Sequence, residues 1–146
     1  MSEVYLQMIL AVVLGASLGI ERQLARKVAG VRTYALVSLG SALFCLMSKY
    51  AFPEFWGVNG FDPSRIASQV VVGIGFLGAG SIIFHDSRVH GLTTAAGLWV
   101  AAAIGMAVAY KLYSMAIFAT ALTLVVFVVF WFFENRVVNK AARKDV

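Results

Sequence analysis

The sequence predicts an all-α fold: a polytopic membrane bundle of about five transmembrane helices. Three observations predict it. Hydrophobic residues fill 61% of the 146 positions and charged residues only 13%, whereas a soluble globular domain carries about 45–50% apolar and about 25% charged residues. The mean hydropathy is +0.86, so the bilayer is the solvent that suits this composition. Five apolar runs, at residues 4–20, 33–52, 66–84, 92–109 and 112–133, each approach the about 20 residues that cross the hydrocarbon core.

The first run follows Glu3 and no basic residue, and Arg22 comes after it. A cleaved signal has the opposite charge order, so this run is expected as a retained first helix. In it Ala11, Gly15 and Gly19 recur at every fourth position. Such small residues let helix backbones approach closely in lipid. The second run holds Cys45, the single cysteine, so neither an intramolecular disulfide nor a thiolate metal site can be assembled. Pro53 and Pro63, with Gly57, Asn59 and Gly60, mark the stop and restart before the third run.

The third run carries Gly73, Gly75, Gly78, Ala79 and Gly80. Formally Gly73 to Gly78 spell GxGxxG, but the apolar flanks and the lack of an acidic residue after a second strand exclude a dinucleotide fingerprint. At about 100° per residue, Gly73 and Gly80 share one side of a helix, and Gly75, Gly78 and Ala79 lie nearer the other. Helix three is therefore expected at the centre of the bundle, contacted closely from two sides. The sharper alternative is an unwound stretch that offers backbone carbonyls to an ion. Ser68 and Gln69 open this run, and Gln69 is expected to bond across helices.

The fourth run has its own small-residue seam of Gly97, Ala101, Gly105 and Ala109, and opens on Thr93 and Thr94, suited to capping and interhelical hydrogen bonds. Tyr110 and Lys111 alone join it to the fifth run, so helices three to five are expected to pack as an antiparallel unit. Phe118, Phe127, Phe130, Trp131, Phe132 and Phe133 give the fifth run an aromatic belt, and it is expected to be the most lipid-exposed helix.

Charge sets orientation. Nine basic residues (Arg22, Arg26, Lys27, Arg32, Arg88, Arg136, Lys140, Arg143 and Lys144) fall on one side, and Lys49, Arg65 and Lys111 on the other. The positive-inside rule places the N-terminus outside and the C-terminus inside. Residues 1–136 then form a single transmembrane domain and 137–146 a basic cytoplasmic tail. The net charge of +5 belongs with topology and anionic headgroups rather than with nucleic acid.

Among polar residues, Glu21 and Arg22 sit where helix one leaves the membrane. The ordinary reading is interfacial anchoring. The functional one makes Glu21 an inward carboxylate that pairs with Arg32 or another basic residue, or meets a cation. A carboxylate is disfavoured at a helix C-terminus, so a compensating charge is expected. His85, Asp86 and His90 in the third loop are metal-ligand types, but their spacing fits no strong motif. No acidic or basic residue lies in the middle of any run, and none of the runs holds a nucleophile–base arrangement. Catalysis and ion-coupled pumping are poorly served by such spans; no enzyme activity, cofactor or resident metal is expected.

Three stretches resemble the MgtC/SapB family: Glu21 to Thr33 followed by Leu36-Val-Ser-Leu-Gly40, Arg65 to Gly80, and Gly91 to Gly105. Glu21, Arg22, Gly30, Arg32, Thr33, Gly40, Gly73, Gly75, Gly78, Gly80, Gly91, Thr94, Ala95, Ala96 and Trp99 carry the resemblance. It implies a bacterial inner-membrane protein linked to magnesium homeostasis and low-magnesium adaptation, acting on other membrane machinery such as ATP synthase. The chain ends soon after the fifth run, so the expected relatives are short members without a soluble C-terminal domain.

Two functions follow. The first is a regulator that works as a homo-oligomer or within a larger membrane complex, with the seams of helices one and four as its surfaces. The second is a transporter or channel for magnesium or another small ion, lined by helix three with Glu21 at its mouth.

Overall fold

The computed structural model describes residues 2–51, 62, 64–85, 87–133 and 136. The loop prolines and glycines between runs two and three, Asp86 and the tail 137–146 lie outside the described residues. Among the described residues the long helices are five: α1 Ser2–Leu24, α2 Val31–Tyr50, α3 Ser64–Gly80, α4 Leu92–Ala109 and α5 Tyr113–Val125. A π-helical turn, Val126–Phe130, prolongs α5 into Trp131–Phe133. Four helical stretches, Ser2–Leu24, Val31–Tyr50, Leu92–Ala109 and Tyr113–Phe133, are long and apolar enough to cross a membrane, while α3 is apolar but only 17 residues long. The chain is a helical membrane protein.

The third run departs from expectation at its end. Residues 83–84 leave the helix and form part of strand β1, Ile83–His85, antiparallel to β2, Arg88–His90, with Phe84 opposite Val89. The helix closes because the N–H groups of Ser81 and Ile82 turn back to the carbonyls of Gly78 and Ala79, at 3.0 and 3.1 Å. Such three-residue closures tighten and end a helix. The β-branched and aromatic residues that follow suit a strand.

The centre of the bundle is α4, which packs against every other long helix, with α2 beside it. Helix α3 lies at the edge against α4 and α2, and only Ile74 and Gly78 of it are buried. This corrects the central placement of helix three, while α4 packs against both α3 and α5. The reason is girth. Buried Gly97, Ala101, Ala102, Gly105 and Ala109 make one broad face of α4 slim, so neighbouring helices approach its backbone closely.

The seams of α1 and α4 are used inside the chain. A Cβ on Gly105 would run into the Ser38 carbonyl, and one on Gly15 would lie 2.7 Å from the Ser38 Cβ. Helices α1, α2 and α4 thus interlock around Ser38, which is fully buried. Gln7, 1% exposed, donates from Nε2 to the carbonyls of Val108 and Ala109 at 2.8 and 3.0 Å. These belong to the last turn of α4, where carbonyls lack the i+4 partner of the helix interior, though Val108 also accepts the Lys111 N–H at 3.0 Å. At the same end Lys111 pairs with Glu3 at 2.6 Å, so the α4–α5 turn lies beside the start of α1. The Lys111 ammonium is held above its ordinary range by that hydrogen bond.

Candidate functional site

At the opposite end all four long helices meet in one buried junction. It begins with the way α1 stops. The N–H of Lys27 bonds the Arg22 carbonyl at 2.9 Å and that of Arg26 bonds Gln23 at 3.0 Å, with Arg26 at φ 54. This is a Schellman closure with a left-handed residue at its hinge. It peels the chain away and leaves Arg22 facing the bundle, 2% exposed.

A buried guanidinium requires compensation, and two groups provide it. The neighbouring Glu21 carboxylate receives both Nε and Nη2 of Arg22, the latter at 2.7 Å. From the other side the Phe127 ring lies 3.8 Å from the guanidinium carbon, a cation–π contact. Phe127 reaches it from the π-helical turn, whose widened loop directs one aromatic inward while Val126, Val128 and Phe130 stay exposed. Beside them the Tyr34 hydroxyl of α2 donates to the Thr94 carbonyl of α4 at 3.3 Å. Gly97 leaves the space: a Cβ there would collide with the Tyr34 hydroxyl and lie 2.7 Å from Phe127 Cζ.

Of the residues singled out in the sequence, Glu21, Arg22 and Thr94 therefore come together. Glu21 is compensated by its neighbour Arg22, and no ion pair joins it to Arg32. Arg32 and Thr33 are exposed and instead line a lateral cleft of about 850 Å³ between α2 and α3. Gln69 also faces this cleft; among the described residues it makes no hydrogen bond across helices. Trp99 is 53% exposed on α4, away from the junction. The cap of α4 is Gly91 at φ 90, with no side-chain cap bond from Thr93 or Thr94.

The glycines divide sharply. Gly15, Gly19, Gly97 and Gly105 abut backbone or side chains of neighbouring helices or loops, whereas Gly73, Gly75 and Gly80 would meet nothing within 4 Å. Gly78 alone of the α3 set approaches a partner, Ala95 at 3.7 Å. Among the described residues, close contact on two sides of helix three is absent. Nor is α3 unwound; it is a regular helix through Gly80.

His85 and His90 stand on one face of the hairpin, two rungs apart, with His85 opposite Arg88. Asp86 lies outside the described residues, and among those described no three His, Cys, Asp or Glu side chains gather as a metal site would require.

Sequence reasoning missed Gln7, Tyr34 and Phe127. An amide and a phenol inside apolar runs were legible signals, since buried polar groups find partners. Phe127 carried none, because one aromatic within a belt looks like the rest.

Known proteins support a family assignment. YhiD of Escherichia coli (strain K12), whose name makes it provisionally a magnesium transporter, is 45% identical over 141 residues, 95% of this chain and 66% of YhiD. Protein MgtC of Salmonella typhimurium (strain LT2) is 44% identical over 119 residues, 82% of this chain and 48% of MgtC. Protein slr0014 of Synechocystis is 41% identical over 124 residues, 85% of this chain and 50% of that protein. The chain thus spans half to two thirds of the curated relatives it matches. No solved structure matches it. The MgtC family model matches residues 8–136, and the chain belongs to the MgtC family.

Proposed function

We propose that this chain is a non-enzymatic regulator in the bacterial inner membrane, tied to magnesium homeostasis, which acts by binding other membrane proteins or a second copy of itself. One observation carries the reading: among the described residues, Gly73, Gly75 and Gly80 of α3 abut no other part of the chain. Gly73 and Gly80 on one side of α3 and Gly75 on the other are exposed with open space above them, and outward small residues are what a foreign helix packs against in lipid. The seams of α1 and α4, by contrast, are already occupied, which moves the proposed partner surface to α3. A larger membrane complex such as ATP synthase is the partner class that the family resemblance suggests. The N-terminus is proposed outside and the C-terminus inside, on the nine-to-three split of basic residues.

Magnesium or other cation transport is the second reading, favoured by the name of YhiD. Against it, Glu21 is engaged by Arg22, and the guanidinium places positive charge at the meeting point of the four long helices. The two readings separate in proteoliposomes. The regulator predicts no saturable magnesium flux, together with crosslinks from α3 in native membranes that Gly75→Leu abolishes. Saturable flux lost in Glu21→Gln, with crosslinks unchanged by Gly75→Leu, would establish transport instead.

A further inference from the structure

The cleft between α2 and α3 has walls that keep it open. A Cβ on Gly40 of α2 or on Gly73 of α3 would meet nothing within 4 Å, and both residues line the cleft. The lining on α2 runs from Arg32 and Thr33 to Phe44. The eleven steps from Thr33 to Phe44 rise about 16 Å at about 1.5 Å each. That is half of the about 30 Å hydrocarbon core, the depth of one leaflet. Between the ends the walls are chiefly aliphatic, and exposed Leu36, Phe44 and Leu77 mark the side open to lipid. Ser41 and Gln69 are the polar exceptions along these walls, and a mainly aliphatic cleft open to lipid has the chemistry of an acyl tail's surroundings.

The mouth differs from the walls. Arg32 is exposed and makes no ion pair among the described residues. Thr33 lines the cleft beside it, and Arg26 and Lys27 are exposed on the adjoining α1–α2 loop. A basic pocket between transmembrane helices at headgroup depth suits an anionic headgroup, and a guanidinium fork matches phosphate oxygens. We infer that this cleft holds an anionic phospholipid, its tail along Gly40 and Gly73 and its phosphate on Arg32 and the Thr33 hydroxyl. The site stands apart from the Arg22 junction and does not depend on whether the chain regulates a partner or moves an ion.

The test uses the full chain purified in neutral detergent and exposed to phosphatidylglycerol or phosphatidylcholine, with retained lipid counted by native mass spectrometry. Wild type retains phosphatidylglycerol in preference. Arg32→Gln lowers that preference about fivefold, the effect of one basic residue beside an anionic surface. Gly73→Leu, built into open space, lowers retention of both lipids. Equal retention of the two lipids by wild type, or an unchanged preference in Arg32→Gln, overturns the inference. A photoreactive side chain at Gly40, in phosphatidylglycerol vesicles, provides a readout that does not depend on Gly73. Crosslinks to the lipid tail support the site; crosslinks to a second copy, or to residues 52–61 of the same chain, overturn it.

Discussion

The guanidinium of Arg22 is bonded along its edge by the Glu21 carboxylate and lies over the face of Phe127, so that the end of α1 and the extension of α5 are joined through one buried charge. Removing Arg22 leaves a carboxylate without its counter-charge and an aromatic face without its cation. Breaking a buried pair from one side costs about 3 kcal/mol or more. Arg22→Ala is expected to lower the thermal-unfolding midpoint in detergent markedly, and Arg22→Lys to recover only part of it, because an ammonium lacks the planar fork. Full recovery by lysine would reduce the contact to simple charge.

Gly105 and Gly75 form a matched pair of tests. At Gly105 an added methyl meets the Ser38 carbonyl, which belongs to a helix backbone and cannot swing aside. Gly105→Ala is expected to destabilise by about 2 kcal/mol, as overpacking does. At Gly75 the methyl meets open space, and Gly75→Ala gains about 0.5–1 kcal/mol of helix propensity. Unfolding of the monomer in detergent, followed by tryptophan fluorescence, should give opposite signs.

Gln7 ties α1 to the last turn of α4 by two bonds from one amide. Its Oε1 has no partner, so the amide contributes as a donor. Gln7→Leu is expected to cost about 0.6–1.7 kcal/mol, the range for hydrogen bonds between membrane helices. Hydrogen exchange at the Leu112 N–H, which closes the same turn onto Ala107, should quicken. An unchanged rate would argue that the turn holds without the amide.

Arg26 pays a conformational cost at φ 54. The left-handed region costs an ordinary residue about 1–2 kcal/mol, and glycine nothing of the kind. Arg26→Gly is therefore expected to stabilise the α1–α2 connection by about 1 kcal/mol, if the arginine side chain contributes nothing to folding. The same reasoning applies to Lys111 at φ 63, except that Lys111→Gly also removes the pair with Glu3. The gain there should be smaller. Unfolding midpoints of the two variants decide the comparison.

Much of this protein was legible from its residues. Apolar runs of membrane length, bounded by prolines, glycines and charges, foretold five helices, and the bounds of α4 at residues 92 and 109 coincide with the structure. The hairpin was not foreseen, because Ile82, Ile83 and Phe84 extend the apolar run and hydropathy cannot distinguish a lipid-facing helix from a strand. The motif stretches that carried the family resemblance supply Glu21, Arg22 and Thr94 to the junction and Arg32, Thr33, Gly40 and Gly73 to the cleft, yet their division between the two sites was not apparent.

The sequence by itself determined the solvent, the helices and which of them carry small-residue faces. Those properties depend on local composition and a period of 3.6 residues. Only the tertiary structure decided which faces are used. Without a hydrophobic drive between helices in lipid, close packing chooses the neighbours, and packing depends on shape across the chain. That is why Gly97 and Gly105 turned inward, α3 went to the edge with Gly75 facing out, and a phenylalanine from the aromatic belt came to rest under Arg22.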